Sequence, residues 1–178
     1  DWKLRYRQGE YEVTGWLGGS RVTGAPAAIA RLQRNSAHFF QRPDQDYVTF
    51  DPTRTSLSGA SASLRLDKNA GRFMLGGIQL STRTPGFEIN DAGQMRSGDD
   101  VDFNADVQLR DTKPNRYVRF YQFGTSAVTS WSYGGVRQYL RFNQTGQVVL
   151  HSFLRLNARG TLHVPSLSDD LTRGGPLI

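Results

Sequence analysis

The chain's clearest pattern is strict alternation of apolar and polar residues. Val101, Phe103, Ala105, Val107 and Leu109 alternate with Asp102, Asn104, Asp106, Gln108 and Arg110. Successive side chains of a strand point to opposite faces, so a period of two predicts a sheet with one apolar and one wet face. Thr112-Lys113-Pro114-Asn115 supplies turn chemistry, because Pro presets its own φ and Asn tolerates the left-handed region. A second run follows from Arg116 to Tyr133, with Tyr117, Tyr121, Phe123, Ala127, Trp131 and Tyr133 on one parity. The two runs read as a long hairpin.

The same device recurs along the chain. Trp2, Leu4 and Tyr6 oppose Lys3, Arg5 and Arg7, and Gln8-Gly9 leads into a strand through Tyr11, Val13 and Leu17. Ala60, Ala62, Leu64 and Leu66 alternate with Ser61, Ser63, Arg65 and Asp67 before Lys68-Asn69-Ala70-Gly71 turns the chain into Arg72–Arg83. Val136, Gln138, Leu140 and Phe142 alternate with Arg137, Tyr139, Arg141 and Asn143. Gln144-Thr145-Gly146 is then expected to turn the chain into a last strand from Val148 to His163.

Several of these runs are 10–14 residues long. A globular strand usually has about 5–6 residues, whereas a tilted membrane-spanning strand needs about 9–11. The expected fold is therefore all-β. About eight long antiparallel strands form a meander, as a barrel or a strongly curved sheet or sandwich, with one short inserted helix near residues 26–40. Pro26 suits the first turn of that helix. Ile29, Leu32, Ser36 and Phe39 or Phe40 mark its inner face, and Arg31, Arg34 and His38 its wet one. A helix between strands reads as a plug or a cover for a sheet edge. Residues 1–178 are expected to be a single all-β domain, a fragment of a longer precursor.

Composition adjusts this picture at the margins. Aromatic residues make up 11 % and suit strands. No apolar run is long enough for a transmembrane helix, but a mean hydropathy of −0.53 is compatible with a barrel whose polar face dilutes the average. The net charge of +6 would suit nucleic acid, anionic lipid or an acidic partner. The charges are interspersed, which favours a solvated or lumen face. The sequence contains no cysteine, which removes thiolate chemistry and disulfides.

Candidate chemistry is sparse. His38, His151 and His163 lack ligand spacing and read as surface or lumen residues. Asp100, Asp102 and Asp106 would suit a hard cation, but a wet strand face with Arg neighbours across the ladder is the preferred reading. There is no nucleophile elbow, Ser-x-x-Lys signature or phosphate loop. No catalytic residue, cofactor or metal is expected. Arg116–Phe123 interleaves bases and aromatics as a single-strand-binding surface would. The same residues suit a membrane interface, where Tyr and Trp form girdles. Tyr117, Tyr121, Phe123, Trp131 and Tyr133 are accordingly candidate interface aromatics. The long connection from Thr84 to Gly98 supplies Phe87, Glu88, Asn90 and Asp91 as candidate loop binding residues.

Four blocks, read together in order, carry a resemblance. They are 19–44 (Gly19-Ser20-Arg21-Val22-Thr23-Gly24-Ala25-Pro26 through Phe40-Gln41-Arg42-Pro43-Asp44), 50–59 (Phe50-Asp51-Pro52-Thr53-Arg54), 85–93 (Pro85-Gly86-Phe87-Glu88-Ile89-Asn90-Asp91) and 169–176 (Asp169-Asp170-Leu171-Thr172-Arg173). This order resembles a family of bacterial outer-membrane β-barrel proteins of unknown function, often carrying a carbohydrate-binding family-9-like domain ahead of the barrel. Gln94 stands where that family tends to have an aromatic. The resemblance implies a bacterial cell-envelope location, in the outer membrane or on the periplasmic side of a membrane, with the chain a segment or shortened relative. It implies no reaction. The expected function is a non-enzymatic structural or transport-related barrel segment, with membrane lipid or membrane proteins as partners. The alternatives are a processed, membrane-extrinsic subunit that stabilises a larger membrane complex and, less favoured, a single-stranded nucleic-acid binder.

Overall fold

A computed structural model describes residues 1–90, 95, 97–168, 171–176 and 178. Eight antiparallel strands follow one another in sequence order: β1 (Trp2–Tyr6), β2 (Tyr11–Thr23), β3 (Ser56–Lys68), β4 (Met74–Arg83), β5 (Asp100–Asp111), β6 (Val118–Trp131), β7 (Arg137–Leu150) and β8 (Arg155–His163). Each strand pairs with its sequence neighbours, and the sheet is not closed, because β1 and β8 are its two edges. One helix, α1 (Pro26–Arg34), lies between β2 and β3. Pro26 occupies its first turn, where the missing N–H costs nothing.

The meander gives the sheet two unlike ends. Residues 7–10, 69–73, 112–117 and 151–154 make short turns at one end. Segment 24–55, the turn 132–136 and the described residues of 84–99 and of the stretch after β8 gather at the other.

Register gives it two unlike faces. The pairs Leu66↔Ile78, Leu64↔Leu80, Ile78↔Ala105, Leu80↔Phe103, Leu109↔Phe123 and Phe142↔Leu162 carry one apolar face across the sheet. Trp2, Leu4 and Tyr6 continue it onto β1 through Gly15, Val13 and Tyr11. Arg65, Gln79, Asn104, Asp106, Ser126 and Asn143 lie on the other face.

The small core lies on the polar face, at the long-loop end. Ile29 of α1, Leu57 at the start of β3, and Phe39, Phe40 and Phe87 of the loops are all buried. Gly59 and Gly86 let segment 84–88 lie against β3: a Cβ on Gly59 would meet the Gly86–Phe87 backbone, and one on Gly86 would meet Ser58 O. The Glu88 N–H donates to Ser20 Oγ on β2 at 2.8 Å. Loops and helix thus cover part of the polar face and leave the apolar face bare.

Three expectations need correction. The chain does not turn at Gln144-Thr145-Gly146: β7 runs straight through it, and the turn lies at 151–154. Gly146 pairs with Phe123 and Ala158, and the Phe123 ring packs over it, so this glycine gives an aromatic neighbour room rather than bending the backbone. His38 is no wet-face residue, since it is 4 % exposed. The buried face of α1 consists of Ile29 and Gln33, while Ser36 is exposed.

Candidate functional site

The apolar face is the largest chemically distinct surface. Leu4, Leu17, Leu64, Leu80, Phe103 and Leu156 are all exposed on it. The chain exposes 11297 Å². A compact monomer of its mass exposes about 8,700 Å². A single-layer sheet with one uncovered apolar face accounts for the excess.

The candidate interface aromatics divide over this surface. Tyr121, Phe123 and Trp131 stand on the apolar face, paired with Asp111, Leu109 and Val101 of β5. Tyr117 and Tyr133 flank β6 rather than lying within it, and both are exposed. Tyr117, Tyr121 and Phe123 mark the short-turn end, whereas Trp131 and Tyr133 mark the long-loop end. The Tyr133 hydroxyl shares a hydrogen bond of 2.7 Å with Thr82 Oγ1.

The polar face is laced by charge and amide pairs. Arg65 Nε donates to both Asp67 oxygens at 2.9 and 2.8 Å, and its guanidinium reaches Asp106 at 3.3 Å. Arg83 lies 2.7 Å from Asp100 and 3.6 Å from Asp102. The three carboxylates considered for a cation therefore face arginines. Asn143 donates to Ser126, and Gln147 to Asn157. Among the described residues no three His, Asp or Glu side chains group as a metal-ligand set.

A second, smaller arrangement sits where the long loops meet the polar face. His38 Nδ1 lies 2.7 Å from Pro85 O, and Nε2 lies 3.1 Å from Glu88 Oε2. Pro85 O can only accept, so Nδ1 donates to it. Glu88 Oε1 also accepts from the Asn90 N–H at 2.7 Å. Burial raises the Glu88 carboxyl, but the Asn90 N–H and His38 outweigh it and hold the group below the usual carboxylate range. Phe87 packs with Ala37 and Met95. Asn90 is exposed, and its Oδ1 accepts from the Met95 N–H at 3.0 Å. Asp91 lies outside the described residues.

Asp99 joins three loops. It accepts from the Tyr133 N–H at 3.1 Å and from the Tyr47 hydroxyl, and it lies 3.5 Å from Arg42 Nη2. Burial, with Asp99 adding to it, pushes the Tyr47 hydroxyl up to about 12. Gln33 closes a two-point bridge, with Nε2 donating to Asp51 O at 2.8 Å and Oε1 accepting from the Asp51 N–H at 2.9 Å. Sequence reading singled out neither Arg42 nor Tyr47 as a site residue and saw Asp99 only as one of a run of acidic residues beside Asp100 and Asp102; the local signal was a buried-type amide, Gln33, between the exposed Arg31 and Arg34. Beside this cluster Phe40, Tyr47, Arg54, Thr84 and Tyr133 line a cleft of about 580 Å³.

Comparison with known protein families, curated proteins and solved structures finds no match to the chain.

Proposed function

We propose that this chain is a wall segment of a bacterial outer-membrane β-barrel, structural or transport-related rather than enzymatic. Its apolar face meets lipid, and its polar face meets a wet interior. One observation carries the reading: the loops and α1 pack on the polar face, where Ile29, Leu57 and Phe87 form a core, while none of the described loops covers the apolar face. A water-soluble sheet protein buries its apolar face first, because that burial is its main driving force. Dimensions agree with the reading. Val101 to Leu109 extends the apolar face over about 27 Å along β5, or about 20 Å once tilted as barrel strands are, near the height of a barrel's apolar band.

The test is extraction of the chain from bacterial membranes. Retention through high salt and carbonate, with release only by detergent, is the expected result. Release by salt or carbonate would overturn the wall-segment reading and favour an extrinsic subunit that docks the same apolar face on a membrane protein.

A further inference from the structure

All four short turns lie beside a cation stacked on an exposed aromatic ring. Arg7 lies 5.9 Å from the centre of the Tyr6 ring, Arg72 4.5 Å from Phe73, Arg116 5.6 Å from Tyr117, and Arg119 4.1 Å from Phe153. The rings are 68 %, 53 %, 74 % and 71 % exposed, in the order Tyr6, Phe73, Tyr117, Phe153. The turn segments hold Arg7, Arg72, Lys113 and Arg116; Lys68 engages Glu10, and Asp111 at the end of β5 takes both arms of Arg72 at 3.1 and 2.9 Å, so Arg7, Lys113 and Arg116 are the cations left to face outward. The long segments at the opposite end hold six Lys and Arg residues against eight Asp and Glu residues. Positive charge is therefore concentrated at one end of the sheet.

The backbone of one turn points the same way. In 150–154 the Leu150 N–H donates to Leu154 O, and the Phe153 N–H donates to Leu150 O, both at 3.0 Å. Turn 132–136 repeats this pattern at the other end, from Ser132 to Val136 O and from Gly135 to Ser132 O, both at 2.9 Å. The equivalent position is left-handed in both, with φ of 76° at Gly135 and 66° at Phe153. Glycine takes that conformation freely and phenylalanine does not. The short-turn end thus holds a strained aromatic where the same turn elsewhere uses glycine, and Arg119 stacks on it.

We propose that the short-turn end is a phosphate-binding rim that seats the sheet in the headgroup layer of an anionic phospholipid membrane. The proposal rests on the lipid-facing reading of the apolar face. Aromatic bodies occupy the boundary between hydrocarbon and headgroups, as interfacial Tyr and Phe do, and the guanidinium forks match phosphate oxygens. A juxtamembrane cation attracts an anionic surface, whereas the balanced long-loop end has no such pull.

The test is flotation of the full chain with vesicles of phosphatidylcholine alone, and with vesicles in which part of it is replaced by phosphatidylglycerol. Tighter binding to the anionic vesicles is expected. The combined variant Arg7→Gln, Lys113→Gln and Arg116→Gln should lose that preference, at about five-fold per cation, with binding to phosphatidylcholine unchanged. The matched long-end variant Arg31→Gln, Arg54→Gln and Arg173→Gln should keep it. Phe153→Gly removes an interfacial ring and should weaken binding to both vesicle types while leaving the anionic preference. Equal loss in both charge variants, or no preference for anionic vesicles, would overturn the rim. Binding to neither vesicle type would instead remove the lipid-facing reading and the rim with it.

Discussion

Asp99 gathers a tyrosine hydroxyl, a backbone N–H and a guanidinium while its own φ is 61°. Asparagine tolerates the left-handed region as aspartate does, so Asp99→Asn removes charge with little backbone cost. Arg42, whose side chain is 3 % exposed, would lose the Asp99 charge 3.5 Å from its Nη2, for an expected destabilisation of about 2 kcal/mol. Denaturant titration gives the size, and faster exchange of the Tyr133 amide shows the place. Glu88 makes a pH prediction. Its folded pKa is depressed, so its contribution is complete above the usual carboxylate range and is lost as pH falls through the lowered folded value. Acidification should therefore loosen the loop at Phe87–Asn90, as read by exchange of the Asn90 amide, and Glu88→Gln should abolish that pH dependence. None of these partnerships was legible in the sequence. His38 finds Pro85 and Glu88 at 47 and 50 residues' distance, and Asp99 finds Arg42 across 57, separations that no local pattern spans.

Strands were legible because a period of two is a local signal, and α1 because Pro26 precedes an amphipathic run. Gln144-Thr145-Gly146 misled because a polar triplet with glycine satisfies turn chemistry, while its place in β7 depends on Phe123 in another strand. The true turn hid behind Phe153, the residue type least expected at a left-handed position. Phe153→Gly should therefore stabilise the β7–β8 hairpin by about 1 kcal/mol, since a left-handed conformation costs an L-residue about 1–2 kcal/mol and the lost stacking on Arg119 returns part of that gain. A higher denaturation midpoint in detergent is the readout.

For the whole molecule, the two faces should respond differently to one substitution. Ile78 sits mid-strand on the apolar face, paired with Leu66 and Ala105. Ile78→Arg should cost about 2–4 kcal/mol in a bilayer, as a lipid-facing cation does at the midplane. Ser81→Arg, on the polar face opposite Asp102, should cost little. Refolding yield into vesicles compares the two directly, and equal penalties would contradict the lipid-facing assignment.

The strictly sequential meander also bears on how the sheet assembles. Each strand needs only its predecessor as a template, so pairing can proceed hairpin by hairpin with local contacts, the regime associated with fast folding. Two seams depart from this rule, β2–β3 and, less so, β4–β5 across residues 84–99. Between Thr23 and Ser56 the chain must first bring residues 24–55 back on themselves, whereas β1 and β2 are joined by residues 7–10 alone. Closing the longer loop costs about 2 kcal/mol more in chain entropy. The β2–β3 pairing is therefore the expected kinetic bottleneck, and its rate should track the stability of the α1 segment rather than that of any hairpin.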